Sequence, residues 1–441
     1  MVTEMNKVVL RILMIVSMAV VFPWGNVCAE TLSPVQEIVV DTLDVTMLGN
    51  NDGNRILIEK NVDLKGRVCK LSSGKTLVFK GGVIKNGTLK GSMTRIESKG
   101  KAFDKVTIKG SWNVPYISTR LFVNLDYINS LRDVFALANP KVKNVIIIEG
   151  GHYQVKARKN KDACLTLTDN TELILNGNIQ IVPNEFPRYD IIRVKGRNIA
   201  IRGKGAIIGD KHTHKGEEGE WGMGVLFHGA INSSIQDVTI KDCWGDCIYV
   251  GGKSRDVLIE KCTLDHGRRQ GISVTKADSV VIRDCKISNV SGTRPEYAID
   301  LEPNANDTVD NVLIDNVEVV NCEGGILALK GLKSEKTTIG SVVIRNCSLS
   351  ALSKYPIRLK RSQSALVEKC TINASNERPS IYSSDVNQIT IRDNIINIEE
   401  SIVASVKNKV KGFVGKDIYK PIKVVRTTRK IVKNNKIVEK Q

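Results

Sequence analysis

Seven segments of this chain lie over one another in register: VTIKDCWGDC from Val238, VLIEKCTLDH from Val257, VVIRDCKISN from Val280, VLIDNVEVVN from Val312, VVIRNCSLSA from Val342, ALVEKCTINA from Ala365 and ITIRDNIINI from Ile389. Each alternates apolar and polar residues and then places a polar pair before a Cys, Val or Asn. Ahead of six such segments runs a second short strand, CIYV, GISV, AIDL, GILAL, PIRL or SIYS. Their first isoleucines, Ile248, Ile272, Ile299, Ile326, Ile357 and Ile381, follow one another at 24, 27, 27, 31 and 24 residues. A repeat of this length built from short strands, with few helix signals, predicts an all-β solenoid, a parallel β-helix whose coils stack on one another. Stacked coils sit at the strand spacing of roughly 4.8 Å, so side chains from successive repeats become neighbours.

The same register explains the cysteines. Cys243, Cys262, Cys285, Cys347 and Cys370 take equivalent places in successive repeats, as a buried ladder of small, soft side chains would. Upstream, NVIIIEGGHYQV, TELILNGNIQIV and NIAIRGKGAIIG continue the coil pattern with glycine turns, and SLRDVFALAN has the spacing of a short helix suited to capping the stack. The predicted organisation is a β-helix over residues 130–441 and an N-terminal β-rich cap over residues 30–129. At the far end KIVKNNKIVEK reads as a last coil with outward lysines.

Residues 1–29 read as an export signal: Lys7 and Arg11 ahead of the apolar run Ile12 to Phe22, then the small-residue site Val27, Cys28, Ala29. No second long apolar stretch follows, so the mature chain is expected to be a secreted or periplasmic monomer, or one held at the cell surface, without a membrane span. The formal net charge of +18 predicts attraction to polyanions. Aromatic residues are only 5%, with no stacking-rich groove and no helix-turn-helix pattern, which argues against nucleic acid and for an acidic polysaccharide.

Counting by twos from the inward isoleucines turns Tyr249, Ser273, Asp300, Glu302, Arg358, Lys360 and Tyr382 outward on one face. Asp246, Gln270 and Tyr297 stand just before three of those strands, and His266, Arg268 and Arg269 enter from the turn beside them. Eliminative cleavage of a uronate chain needs a cation for the sugar carboxylate, a base, and a proton donor. Arg268 or Arg269 suits the first role, since a guanidinium grips a carboxylate with two parallel bonds, and His266 or Tyr249 suits the others. No cofactor is required on this reading, although Asp246, Asp300 and Glu302 would also suit Ca²⁺. Hydrolysis needs paired carboxylates instead, and Asp300 with Glu302, roughly 6.6 Å apart by strand rise, or either with Asp246, would supply them. Tyr249, Gln270, Tyr297, Arg358 and Lys360 are expected to contact substrate beside them.

The helix followed by Val-x-Ile, a Gly-Gly pair and Tyr153, and then IAIRGKGAIIG, resembles the opening of the pectate-lyase-like superfamily of right-handed parallel β-helix proteins. The likeness covers most of residues 130–440 and implies a right-handed coil and activity on polysaccharide, as lyase or glycoside hydrolase. GDCIYV and RQGISV are also similar to two strands of the polygalacturonase hydrolases. There Asp246 matches the second of two aspartates, while Gly245 and Gln270 stand where the first aspartate and a histidine would be. With that departure and the paired arginines, the sequence favours a lyase acting by β-elimination, with hydrolysis or non-catalytic glycan binding as alternatives.

Overall fold

The computed structural model describes residues 37–39, 55–158, 163–331, 336–350, 352–399 and 420–440. The expected signal segment 1–29 lies outside the described residues. The chain divides into two compact units, Met1–Glu149 and Gly150–Gln441.

In the first unit parallel strands Arg55–Ile58, Thr76–Phe79, Ile84–Ser98 and Phe103–Trp112 stack through their alternating apolar residues. Phe79, Phe103 and Trp112 anchor its core. The helix read from SLRDVFALAN is the five-residue turn Leu131–Phe135, with Leu131, Val134 and Phe135 buried. Asp133 on it accepts the Ile108 N–H at 3.0 Å. This helix packs on the Phe103–Trp112 strand, and Asn144–Ile148 pairs in parallel with Tyr116–Ser118.

The second unit is the right-handed parallel β-helix that the repeats foretell. Each regular coil contributes one strand to each of three faces, as in Ile272–Val274, Ala277–Arg283 and Lys286–Ser288. Ile248, Ile272, Ile299, Ile326, Ile357 and Ile381 are consecutive register partners, and all six are fully buried. Each such side chain contributes about 1.5–3 kcal/mol by leaving water, so a one-residue slip of any coil is heavily opposed. The residue before the cysteine column turns the chain: Lys261, Asp284, Asn346 and Lys369 all have φ between 53° and 55°, a left-handed conformation that Asn and Asp tolerate best. The column then buries Cys262, Cys285, Cys347 and Cys370, whose thiols aim at carbonyls, as Cys285 does at Arg283 O, 3.2 Å away. At Asn394 an amide takes over, bonding to Val367 O and Asn435 Oδ1. The last coil, Ile422–Val425, Arg429–Lys433 and Lys436–Lys440, is present as the lysine pattern predicts.

Candidate functional site

On the first face the side chains between the buried isoleucines form one outward column. Leu226, Tyr249, Ser273, Asp300, Leu327, Arg358 and Tyr382 are successive register partners. Backbone bonds also stack the turns: Arg268 N–H donates to Cys243 O at 3.0 Å and Arg269 N–H to Gly245 O at 3.2 Å. Gly271 permits the next step, since a Cβ there would lie 2.5 Å from Ala298 O and push the coils apart.

At the centre lies Arg269, with its side chain only 10% exposed. Its Nη2 donates to Glu302 Oε1 at 2.6 Å, and its Nη1 reaches Asp246 Oδ2 and Oδ1 at 3.3 and 3.4 Å. Its Nε has no hydrogen-bond acceptor, and Glu220 Oε2 stands 3.6 Å away. A charge-assisted bond is normally about 2.7–2.9 Å, so the guanidinium leans on Glu302 and holds Asp246 loosely. Asp246 is held more tightly by the Ser273 hydroxyl, which donates to Oδ2 at 2.7 Å. Gln270 ties the neighbouring coil: its Nε2 donates to Asp300 Oδ2 at 2.7 Å and its Oε1 accepts the Tyr297 N–H at 2.8 Å. Asp300 Oδ1 is buried without a partner.

This packing sets the protonation. Burial pushes the Asp246 carboxyl up to about 7, against the opposing pull of Arg269 and Ser273. Burial, with the Glu302 charge next, raises Asp300 well above the usual carboxylate range. An ionised Asp300 would leave one charged oxygen unpaired away from water, and protonation relieves that penalty. Burial works against the Arg269 charge, but Asp246 and Glu302 outweigh it and hold the guanidinium fully protonated.

Facing outward does not leave these residues exposed. Asp246, Gln270, Ser273 and Asp300 point away from the solenoid core yet have no exposed surface. Arg268 and Arg269 diverge. Arg268 lies 3.6 Å over the Trp244 ring and donates to Gly219 O at 3.0 Å, with Glu220 the one acid of the cluster whose charge bears on it. His266 also turns elsewhere, to Asp265 at 2.8 Å and edge-on to His212. Tyr297 is hydrogen-bonded with Arg358, which also lies 5.1 Å over Tyr355. Lys360 sits two residues further on, in register with Ser384. Tyr249 OH accepts from Thr275 Oγ1 at 2.9 Å. For calcium the donor set fits poorly, since the Arg269 guanidinium bridges Asp246 and Glu302, and among the described residues no three His, Cys, Asp or Glu side chains converge as a metal site.

Two residues escaped the sequence reading: Glu220, the third acid at Arg269, and its neighbour Trp221, which is 46% exposed. Both follow a long turn outside the repeat pattern, so counting from the isoleucines could not reach them. That turn is fixed by the buried pair Asp210 and His214, bonded at 2.9 Å, with His214 stacked 3.9 Å from Trp244.

Residues 138–303, 179–339 and 295–437 match the sequence family described as the right handed beta helix region. Two Bacillus subtilis (strain 168) proteins are similar in part. The SPbeta prophage-derived uncharacterized protein YorA is 31% identical over 162 residues, 31% of this chain and 28% of the relative. The uncharacterized protein YclG is 30% identical over 212 residues, 40% of this chain and 36% of the relative. The chain thus spans about a third of the length of these curated relatives. Among solved structures, the A-module of the Azotobacter vinelandii mannuronan C-5 epimerase AlgE6 superposes with a TM-score of 0.47 at 12% identity, over 71% of this chain and 94% of that one.

Proposed function

The chain belongs to the right-handed β-helix family, and we propose that on this scaffold it is an exported enzyme cleaving glycosidic bonds of an acidic polysaccharide, by hydrolysis at the carboxylates around Arg269. The observation that carries this reading is that four acids, Glu220, Asp246, Asp300 and Glu302, gather about one guanidinium. Glycosidic cleavage asks for one carboxyl that still holds its proton near neutrality and another that is ionised. Asp246, pushed to about 7, suits the acid, and Glu302, ion-paired to Arg269 with its side chain 27% exposed, suits the base or nucleophile. Because Asp246 is covered, it meets the leaving oxygen only when the long Arg269 contact opens. The charge of +18 supports a polyanionic substrate drawn in from solution.

The sequence preference for elimination loses its main support once Arg269 is occupied by protein acids and Arg268 by Trp244. Elimination stays a second reading on one ground: Arg358 Nε is buried without a partner on the same outward column.

The test is digestion of a panel of uronate-containing polysaccharides, following new reducing ends together with the ultraviolet absorbance of unsaturated uronides. Hydrolysis gives reducing ends alone, with the rate falling at alkaline pH as Asp246 loses its proton, and Glu302→Gln or Asp246→Asn lowers it by about 10²-fold or more. Unsaturated products would establish elimination, and full activity in both variants would rule out this site.

A further inference from the structure

Beside the acid cluster lies a groove of about 410 Å³, inside the range of roughly 300–1,000 Å³ usual for small-molecule sites. Met223, whose sulfur accepts the Asp246 N–H at 3.4 Å, lines it, as do Tyr249 from the outward column and Asn304, two residues beyond Glu302. Its most exposed apolar surface is Trp221, on a chain with only 5% aromatic residues.

The charges lining the groove balance. Of the lining residues two are cationic, Arg188 and Lys276, and two acidic, Asp190 and Asp307; Asp307 is ion-paired to Lys276, and Asp190 accepts Arg193 Nε at 2.7 Å. A carboxylate entering here would meet Asp190 and Asp307 and could reach Lys276 only by displacing Asp307, and burying it unpaired would be costly. Hydroxyl groups fit better. Tyr249 OH accepts from Thr275 Oγ1 and is hydrogen-bonded with Asn304, and all three groups can exchange partners with sugar hydroxyls. A pyranose ring offers an apolar C–H face to an exposed indole and hydroxyls to this polar wall.

We propose that this groove is a subsite for an uncharged pyranose stacked on Trp221, so that the substrate carries a neutral sugar next to the linkage cut at Glu302. The inference rests on the proposed glycan-cleaving function and adds that the substrate is a heteropolysaccharide. A chain of uronates alone would place a carboxylate against Asp190 and Asp307.

The test uses the full chain carrying Glu302→Gln, titrated by calorimetry and tryptophan fluorescence with neutral tetrasaccharides of glucose, mannose, galactose and xylose, and with tetragalacturonate. At least one neutral oligosaccharide is expected to bind and perturb the fluorescence. Trp221→Ala is expected to weaken that binding by roughly tenfold, the scale of one aromatic contact, and Trp221→Phe to restore part of it. Binding of tetragalacturonate alone, binding of nothing, or equal binding with Trp221→Ala would overturn the subsite. Undiminished cleavage by Glu302→Gln would instead break the catalytic assignment and leave the binding result readable by itself.

Discussion

The β-helix carries two charged columns, and they are built on opposite rules. On the second face Glu260, Arg283, Asp315, Arg345, Glu368 and Arg392 are successive register partners, alternating in sign from coil to coil. Each acid has its own arginine, at 2.6 Å for Arg283 Nε to Glu260, 2.7 Å for Arg345 to Asp315 and 2.6 Å for Arg392 to Glu368. On the first face one arginine serves Asp246, Glu302 and Glu220, and Asp300 beside them has only an amide. The backbone is the same in both places. A balanced column is a structural ion-pair ladder, whereas an excess of buried acid over base drives carboxyls toward the protonated form, which is the condition for acid–base chemistry.

The largest break in this contrast should come from Arg269→Ala. Removing the shared cation strands Asp246 and Glu302 together, and denaturant unfolding is expected to show a loss of about 3–5 kcal/mol, with Arg269→Lys recovering only part because it cannot reach both acids at once.

The dependence of stability on pH comes next. Asp246 binds its proton more tightly folded, at about 7, than unfolded, near its ordinary value of 3.8. Between those values the folded chain holds a proton that the unfolded chain has released, so stability is greatest below the lower value and falls as pH rises through the window. Each tenfold difference in proton affinity is worth about 1.4 kcal/mol, and Asp300 acts in the same direction. Asp246→Asn should flatten this slope in melting curves from acid to neutral pH, and an unchanged slope would mean that burial does not govern the site.

The smallest effect belongs to the balanced ladder. Arg345→Ala should cost less than Arg269→Ala, about 1–3 kcal/mol, because it strands a single part-buried acid that keeps the Asn346 amide, and it should leave glycan cleavage unchanged. If it matched Arg269→Ala in unfolding experiments, the distinction between the two columns would fail.

The alternation around Ile248, Ile272 and Ile299 was enough to place Asp246, Gln270, Ser273, Asp300 and Glu302 in one neighbourhood, because strand periodicity and coil stacking are local rules. The same counting could not say which way the RRQ turn points its long side chains. Arg268 and Arg269 are adjacent in sequence, yet one stacks on Trp244 and the other enters the acids. Nor could it distinguish outward from exposed, as Asp300 shows, since exposure depends on what the neighbouring coils lay on top.

The repeats by themselves determined the solenoid, its inward isoleucines, its cysteine column and the face on which polar residues collect, because each follows from a spacing written along the chain. Only the tertiary structure decided that Glu220 and Trp221 join that face, that His266 leaves it, and that Asp246 holds a proton near neutrality. Those outcomes depend on how far a side chain is withdrawn from water and which charge it meets there, and both are set by residues distant in sequence.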